Sequence, residues 1–373
     1  MSLALPQNFS LDEIISPVSA YGRPALAAQF KLSAADFEVE EIPFIQPDGE
    51  GEHLWFWLQK TGANTQWVAG QLAELAGISA RDVSWAGLKD RQSISRQYFS
   101  LQLPGKADPD WEKWEIEGAK ILSAKRHSRK LKIGALKGNL FKIYLRDCVA
   151  LEPSLSATEA RQKTDVCLSQ IQQLGVPNYF GPQRFGRGGG NLARAGSWLA
   201  GRGLGKRARN MRSLLISTVR SSIFNQLLAA RVETGSWNQL LDGEWLQLDG
   251  SRSGFLYTDT DAEIIQRLND FDLHPSGPLA GEISRRGDKQ PQAEALAFEQ
   301  TILQTWQPWI EGLEQHRVTA DRRSLRLRPQ NFRWHWQEND CCVEFGLPAG
   351  SYASVVLAQA FFLHETKDLL SNE

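Results

Sequence analysis

Apolar and polar residues alternate in short runs over the first 150 positions of the chain, with one clear helical period between them. Phe37, Val39 and Glu41 fall on one face of an extended run and Glu38 and Glu40 on the other, which predicts a strand. The Pro47-Asp-Gly-Glu-Gly51 cluster is a turn, and residues 53–59 read as a second strand. From Asn64, which suits an N-cap, Trp67, Val68, Leu72 and Leu75 recur at helical spacing until Gly77 ends the helix. Residues 97–103 and 138–146 return to alternation. In the latter, Phe141, Ile143 and Leu145 share one face and Lys142, Tyr144 and Arg146 the other. Residues 1–28 read as an irregular lead-in.

A helix over 158–174, stopped by Gly175 and Pro177, leads to the aromatic, glycine-rich and basic run 178–190, the expected domain junction. A basic helix follows, with Val219, Ile223, Leu227 and Leu228 on its apolar side. Asp249-Gly250 between 245–248 and 254–257 predicts a hairpin. Residues 294–306 form a helix, and 332–336 and 342–345 return to strands. Leu347 to Tyr352 is a turn whose Ser351 can cap a last helix from Ala353. Strands and helices mix without a regular βαβ rhythm, so the fold class is α+β.

The composition, 42% hydrophobic and 23% charged, is that of a globular chain long enough for two domains. No run approaches the ~18 consecutive apolar residues of a membrane span, and the N-terminus lacks the pattern of a signal peptide. Cys148, Cys167, Cys341 and Cys342 fit neither zinc spacing nor a disulfide framework. A reduced, cytoplasmic, metal-free protein is expected.

Charge distribution changes this bland picture. Residues 118–146 carry nine Lys/Arg and no acid, and 184–231 carry ten and no acid, in a chain of net charge -1. Two long one-sign segments suggest a focused positive surface for a polyanion, with Arg129, Lys130, Arg184, Arg187, Arg207 and Arg209 as candidate RNA-backbone contacts.

The glycines do not make a nucleotide site. Gly186 to Gly190 lacks the G-x-x-x-x-G-K-[ST] spacing, and Gly201-Arg-Gly-Leu-Gly205 lacks the third interval of G-x-G-x-x-G. No G-x-S-x-G or clustered acids for two metals appear. There remains Asp90, in a Gly-containing loop between Lys89 and Arg91, where flanking cations favour a carboxylate anion able to act as nucleophile or base. With basic tracks and loop aromatics, that suits chemistry on a base or sugar of RNA. The base must leave its stack, meet an aromatic such as Phe37, Phe141 or Tyr352, and be read by an amide such as Asn139. An RNA-binding or chaperone module with an inert Asp90, or an RNA methyltransferase or nuclease, are the alternatives the residues leave open.

Ala86-Gly-Leu-Lys-Asp90 resembles the G-x-K-D motif of the TruD family of tRNA pseudouridine synthases. Lys31 with Asp36-Phe37 and Val39-x-Glu41 resembles that family's opening element, and Gly138-Asn139-Leu-Phe141 its G-N-x-F strand. Asn178 to Gly186 resembles N-Y-F-G-x-Q-R-F-G, and Leu347 to Tyr352 the closing L-P-x-G-S-aromatic turn. Leu357 and Ala358 depart from the Arg-Glu that relatives often carry there. The resemblance implies isomerisation of uridine-13 of tRNA to pseudouridine by a monomer, without cofactor or metal. Asp90 falls on the catalytic aspartate and Phe37, Asn139, Phe141 and Tyr352 on substrate-binding positions, with Lys31, Glu41 and Lys89 as supporting motif residues. It further implies a catalytic domain of mixed, largely antiparallel sheet over 1–164 and 327–373, with an inserted α/β TRUD domain over 165–326.

Overall fold

The computed structural model describes residues 3–6, 10–204, 208–258, 262–283 and 289–365. Two compact units emerge, one of 24–166, 329–353 and 361–373, the other of 1–23, 167–328 and 354–360. The N-terminal stretch is less irregular than expected. Ser10 caps a short helix, α1 (Leu11–Ile15), through a reciprocal capping box with Glu13, and a strand, β1 (Leu26–Phe30), follows. Ile14 of α1 is buried and its carbonyl accepts from Asn225, which ties the lead-in to the unit containing 167–328.

The first unit is built on one ten-stranded sheet. Its strands are β1, β2 (Phe37–Pro43), β3 (His53–Thr61), β4 (Val83–Trp85), β5 (Ile94–Gln102), β6 (Ala119–His127) and β7 (Leu136–Ala150), joined later by three from the chain's end. Helix α2 (Thr65–Leu75) starts at Asn64, whose Oδ1 accepts the Gln66 N–H, and its Val68, Ala69 and Leu72 pack with Leu54, Phe56, Leu58, Phe99 and Leu101. A second cluster of Trp55, Tyr98, Ala86, Leu131 and Leu136 holds the loops before β5 and β7. Helix α3 (Ala157–Leu174) closes this stretch close to its expected bounds.

The other unit contains a two-stranded pair, β8 (Val176–Pro177) with β13 (Arg326–Leu327), and a four-stranded sheet of β9 (Trp245–Leu248), β10 (Gly254–Leu256), β11 (Leu273–Leu279) and β12 (Asp321–Ser324). The Asp249-Gly250 turn does join β9 to β10 antiparallel. The helices are α4 (Gly190–Leu199), α5 (Ala208–Glu233), α6 (Ala262–Asn269), α7 (Ala293–Leu303) and α8 (Gln307–Gln315). Val219, Ile223, Leu227 and Leu228 of α5 are buried, as their spacing predicts.

The chain then returns through β14 (Gln330–Gln337) and β15 (Asp340–Pro348), the short helix α9 (Ala353–Leu357) and β16 (Phe361–Glu365). The large sheet runs β14-β15-β7-β2-β5-β3-β6, with β1 between β16 and β7. Only β2–β5 and β1–β16 pair parallel within it. Asp165 of α3 accepts the Nε1–H of both Trp334 and Trp336 of β14 at 2.8 Å. This is the α+β class expected from the missing βαβ rhythm, with the mixed, largely antiparallel sheet that the family resemblance implies.

Candidate active site

Asp90 sits in the loop between β4 and β5, and the sequence fixes that loop from below. Lys60 continues the buried face of Leu54, Phe56 and Leu58 in β3, yet it is a lysine with no exposed surface. Its ammonium donates to the Asp90 carbonyl at 2.6 Å, and Ser93 Oγ donates to the same carbonyl at 2.7 Å. Thr65 Oγ1 accepts the Lys89 N–H at 3.1 Å, while the buried Gln97 amide donates to the Gly87 carbonyl at 2.9 Å. Side chains of Lys60, Thr65, Ser93 and Gln97 therefore hold the Gly87 carbonyl, the Lys89 N–H and the Asp90 carbonyl of this loop.

The carboxylate of Asp90, partly open to solvent, pairs with the ammonium of Lys31. Lys31 is presented by a left-handed backbone (φ 59), unusual for a long side chain. The turn that follows is pinned hard. Asp36, buried, accepts from the Ser33 N–H and hydroxyl and from Arg146 Nε at 2.7 Å, and Gln92 donates to the Lys31 carbonyl at 2.6 Å. The Lys31 ammonium also lies 4.1 Å from the centre of the Phe37 ring.

Lys89 points elsewhere. Its Nζ donates to Asn139 Oδ1 at 2.6 Å and lies 3.5 Å from Glu41 Oε2. Glu41 and Asn139 are Cα partners on β2 and β7, so strand register brings these two together, and the loop after β4 delivers Lys89 to them. Burial pushes the Glu41 carboxyl up, against the pull of Lys89 and the Tyr98 backbone N–H, and pushes the Lys89 ammonium down, against Glu41 and Asp90. Burial also brings Lys60 down to about 8, with Asp90 opposing the fall and Lys89 adding to it. Glu41 Oε1 is buried without a hydrogen-bond partner. With Asn139 Oδ1 engaged, its amide N–H groups are left to meet an acceptor.

Aromatic rings complete the wall. Phe37 and Phe141 meet edge to face with centroids 5.9 Å apart, and Phe141 leans on Phe345 at 5.6 Å. Gly138 allows β15 to approach β7, since a Cβ there would stand 2.2 Å from the Leu347 carbonyl oxygen. Tyr352, of this same unit, lies half-buried in the turn that follows β15. Leu357, at the position where Arg was the family expectation, is fully buried.

Two expectations change. Arg91 does not support Asp90; it is exposed and its Nε donates to the Gly62 carbonyl at 3.1 Å. The direct counter-charge is Lys31, 59 positions away, and Lys89 serves Glu41 and Asn139. The basic runs are also partly spent inside the protein. Arg126 bonds Asp108 and three carbonyls, Arg146 bonds Asp36 and Asp340, and Lys130 donates to the Arg81 carbonyl at 3.0 Å. Arg129 is exposed. In the other unit Arg187 is exposed and Arg184 donates to Ser217 at 2.9 Å. Arg207 lies outside the described residues, as does the side chain of Arg209 on α5. Within that unit the 178–186 run is scaffold, with Tyr179 and Phe185 buried and Phe180 bonded through both backbone groups to the Asn225 amide.

Lys60, Thr65, Gln92 and Gln97 went unread in the sequence. For Lys60 a signal existed, because a lysine in phase with three apolar residues of a strand must be buried or end the strand. The cross-strand trio His335, Cys342 and Glu344, whose ligand atoms lie within 4.8 Å of one another, also escaped a reading by spacing. It belongs to β14 and β15, and Glu344 there is paired to Arg333. Among the described residues no helix is long and apolar enough to cross a membrane.

The family model described as tRNA pseudouridine synthase D (TruD) matches residues 19–206 and 200–360. The tRNA pseudouridine synthase D of Hydrogenovibrio crunogenus is 43% identical over 343 residues, covering 92% of this chain and 95% of that one. The tRNA pseudouridine synthase D of Proteus mirabilis is 41% identical over 345 residues, covering 92% and 94%. In fold, the chain resembles the crystal structure of the protein assigned as tRNA pseudouridine synthase D in Methanosarcina mazei. That match has a TM-score of 0.68 at 20% identity, over 96% of this chain and 98% of that one. The chain belongs to the tRNA pseudouridine synthase D (TruD) family.

Proposed function

We propose that the protein isomerises uridine-13 of tRNA to pseudouridine, with Asp90 as the catalytic carboxylate. The observation that carries the assignment is the Asp90 loop itself: a carboxylate paired with Lys31, on a backbone held by buried Lys60, beside the Glu41–Lys89–Asn139 trio. Such a carboxylate is oriented and cannot swing away, as a nucleophile or base needs.

The reaction is a balanced rearrangement. The N1–C1′ bond breaks, the uracil turns in the pocket, C5 bonds to C1′, and the proton lost from C5 is matched by one gained at N1. No electrons are gained or lost. Asp90 opens it by attack at C6 or C1′, a bond that breaks again when C5 joins C1′ or the adduct collapses, or by taking the 2′ proton, which it later returns. Phe37, Phe141 and Tyr352 offer faces for the detached base, and the free amide N–H groups of Asn139 suit a uracil carbonyl. Arg129, Lys130, Arg184, Arg187, Arg207 and Arg209 contribute charge toward the tRNA backbone, Lys130 only if it leaves Arg81. Residues 165–326 are the inserted TRUD domain within a catalytic domain of 1–164 and 327–373. The enzyme works as a single chain in the cytoplasm, with no cofactor.

Asp90→Asn keeps the shape and removes the charge. In a single-turnover assay on unmodified tRNA it binds with the wild-type Kd and forms no pseudouridine. Product at more than a hundredth of the wild-type rate sinks the assignment.

A further inference from the structure

Four large apolar side chains stand in solvent on the very segments that deliver the site. Ile133 is 85% exposed, Leu88 66%, Phe44 59% and Ile45 49%. Phe44 and Ile45 follow Glu41 at the end of β2, Leu88 precedes Lys89, and Ile133 lies ahead of Asn139. The segments also touch. Pro43 and Leu136 are Cα partners, and the Gly134 N–H donates to the Ala86 carbonyl at 2.7 Å.

Ile133 is displayed deliberately. Leu131 and Leu136, on either side of it, are buried against Ala86, Trp55 and Tyr98, so the base of the loop is fixed. Between them the Ala135 N–H donates to the Lys132 carbonyl at 3.0 Å, making a turn with Gly134 at φ 84. Ile133 therefore occupies the first corner of a tight turn, held out from a packed stem. Exposed Arg129, Lys132 and Lys137 lie within four positions of it along the chain. An apolar tip among cations fits a nucleic acid, whose phosphates meet the cations while its base stack accepts the tip. A protein partner of apolar surface would have to desolvate three positive charges.

We propose that Ile133 and Leu88 form an apolar wedge that enters the RNA stack and fills the space left by the extruded uridine. Phe44 and Ile45 shield the opening, and Arg129, Lys132 and Lys137 take the flanking phosphates. Aliphatic wedges of this kind unstack a base step in return for wider contact. The inference rests on the reading of Asp90 as the group that meets the extruded uridine.

The test uses the full chain with both positions changed, Ile133→Ser and Leu88→Ser, on tRNA carrying 2-aminopurine beside the target nucleotide. Both residues are exposed, so folding, checked by circular dichroism, is unaffected. Wild-type binding raises the 2-aminopurine fluorescence; the variant gives less than a fifth of that rise. Its single-turnover rate falls at least tenfold at saturating tRNA, while Kd stays within threefold. An RNA with an abasic residue beside the target, already unstacked, restores the variant to within threefold of wild type. Wild-type fluorescence and rate in the variant overturn the wedge. So does a weakened Kd with an unchanged saturating rate, which would make the surface a docking contact only. Asp90→Asn, run in parallel, gives the full fluorescence rise without product. If it makes product, the Asp90 reading fails while the fluorescence result still judges the wedge.

Discussion

Lys60→Met tests whether the buried lysine positions Asp90 or merely fills β3. Methionine keeps the length and removes the charge. A lysine brought from 10.5 to about 8 by burial costs the fold about 3 kcal/mol whenever it is protonated. Against this, the ammonium–carbonyl hydrogen bond to Asp90 contributes ~1.5–3 kcal/mol. The two nearly cancel, so the variant should unfold within ~1–2 kcal/mol of wild type at pH 7. Activity has no such compensation. Only Ser93 Oγ still holds the Asp90 carbonyl, and a shift of the carboxylate by a fraction of an ångström costs roughly 10–100-fold in kcat. KM for tRNA should move by less than about twofold, because Lys60 has no exposed surface to offer the substrate.

The pH dependence gives the sign. Lys60 is charged in the folded state below about 8, and that charge is both its cost and its grip. As pH rises from about 8 toward 10.5, the unfolded chain still binds the proton that the folded one has released, so wild-type stability increases over that window. Over the same window saturating kcat falls as the grip weakens. In Lys60→Met both trends vanish. Asp90 and Lys89 face the same ammonium, so the comparison is made as variant against wild type under identical buffers. A Lys60→Met enzyme with wild-type kcat and an intact basic limb refutes the positioning role.

Lys31→Gly relieves a left-handed backbone by ~1 kcal/mol and removes the ion pair to Asp90; thermal melts should shift by only a few degrees while kcat falls by more than a hundredfold. Glu41→Leu should destabilise by ~3–5 kcal/mol, since buried Lys89 loses its counter-charge and keeps only the neutral Asn139 amide. Adding Lys89→Met should recover most of that loss in urea unfolding without restoring product. Gly138→Ala should lower stability by more than ~2 kcal/mol, because the new methyl group meets the Leu347 carbonyl at 2.2 Å and must part β7 from β15.

Elements with a strong local period were legible. The Asn64-capped helix, the 158–174 helix and the β7 alternation all stand near their expected places. What a linear reading could not supply was register and reach. That β2 lies beside β7 with Glu41 opposite Asn139 depends on long-range pairing, and so does the meeting of Lys31 with Asp90. Proximity along the chain suggested Arg91 as the support for Asp90, but a neighbour in a turn need not point the same way, and Arg91 caps Gly62 instead. The basic runs misled in a related manner. A cation is read from sequence as surface, whereas Arg126 and Arg146 use their forked donors to close the protein's own loops.

The energetics of the Asp90 surroundings argue that they were kept for chemistry. A bulky residue sits at positive φ, a lysine has no solvent, and Glu41 leaves one buried oxygen unpartnered. Each costs stability that an apolar residue, or a glycine at Lys31, would not. Buried charge elsewhere in the protein is also paired, and Glu244 Oε1, like Glu41 Oε1, is left without a hydrogen-bond partner. Arg231 bonds Glu244 and two carbonyls, and Arg322 bonds Glu299 and Ser276. Around Asp90 a lysine at positive φ, a lysine without solvent and an unpartnered carboxylate oxygen converge on one loop and one carboxylate. If the loop were structural, removing its charges would raise stability and leave function untouched. The paired outcome expected for Lys60→Met, a fold scarcely changed and a rate sharply reduced, is the signature that separates the two.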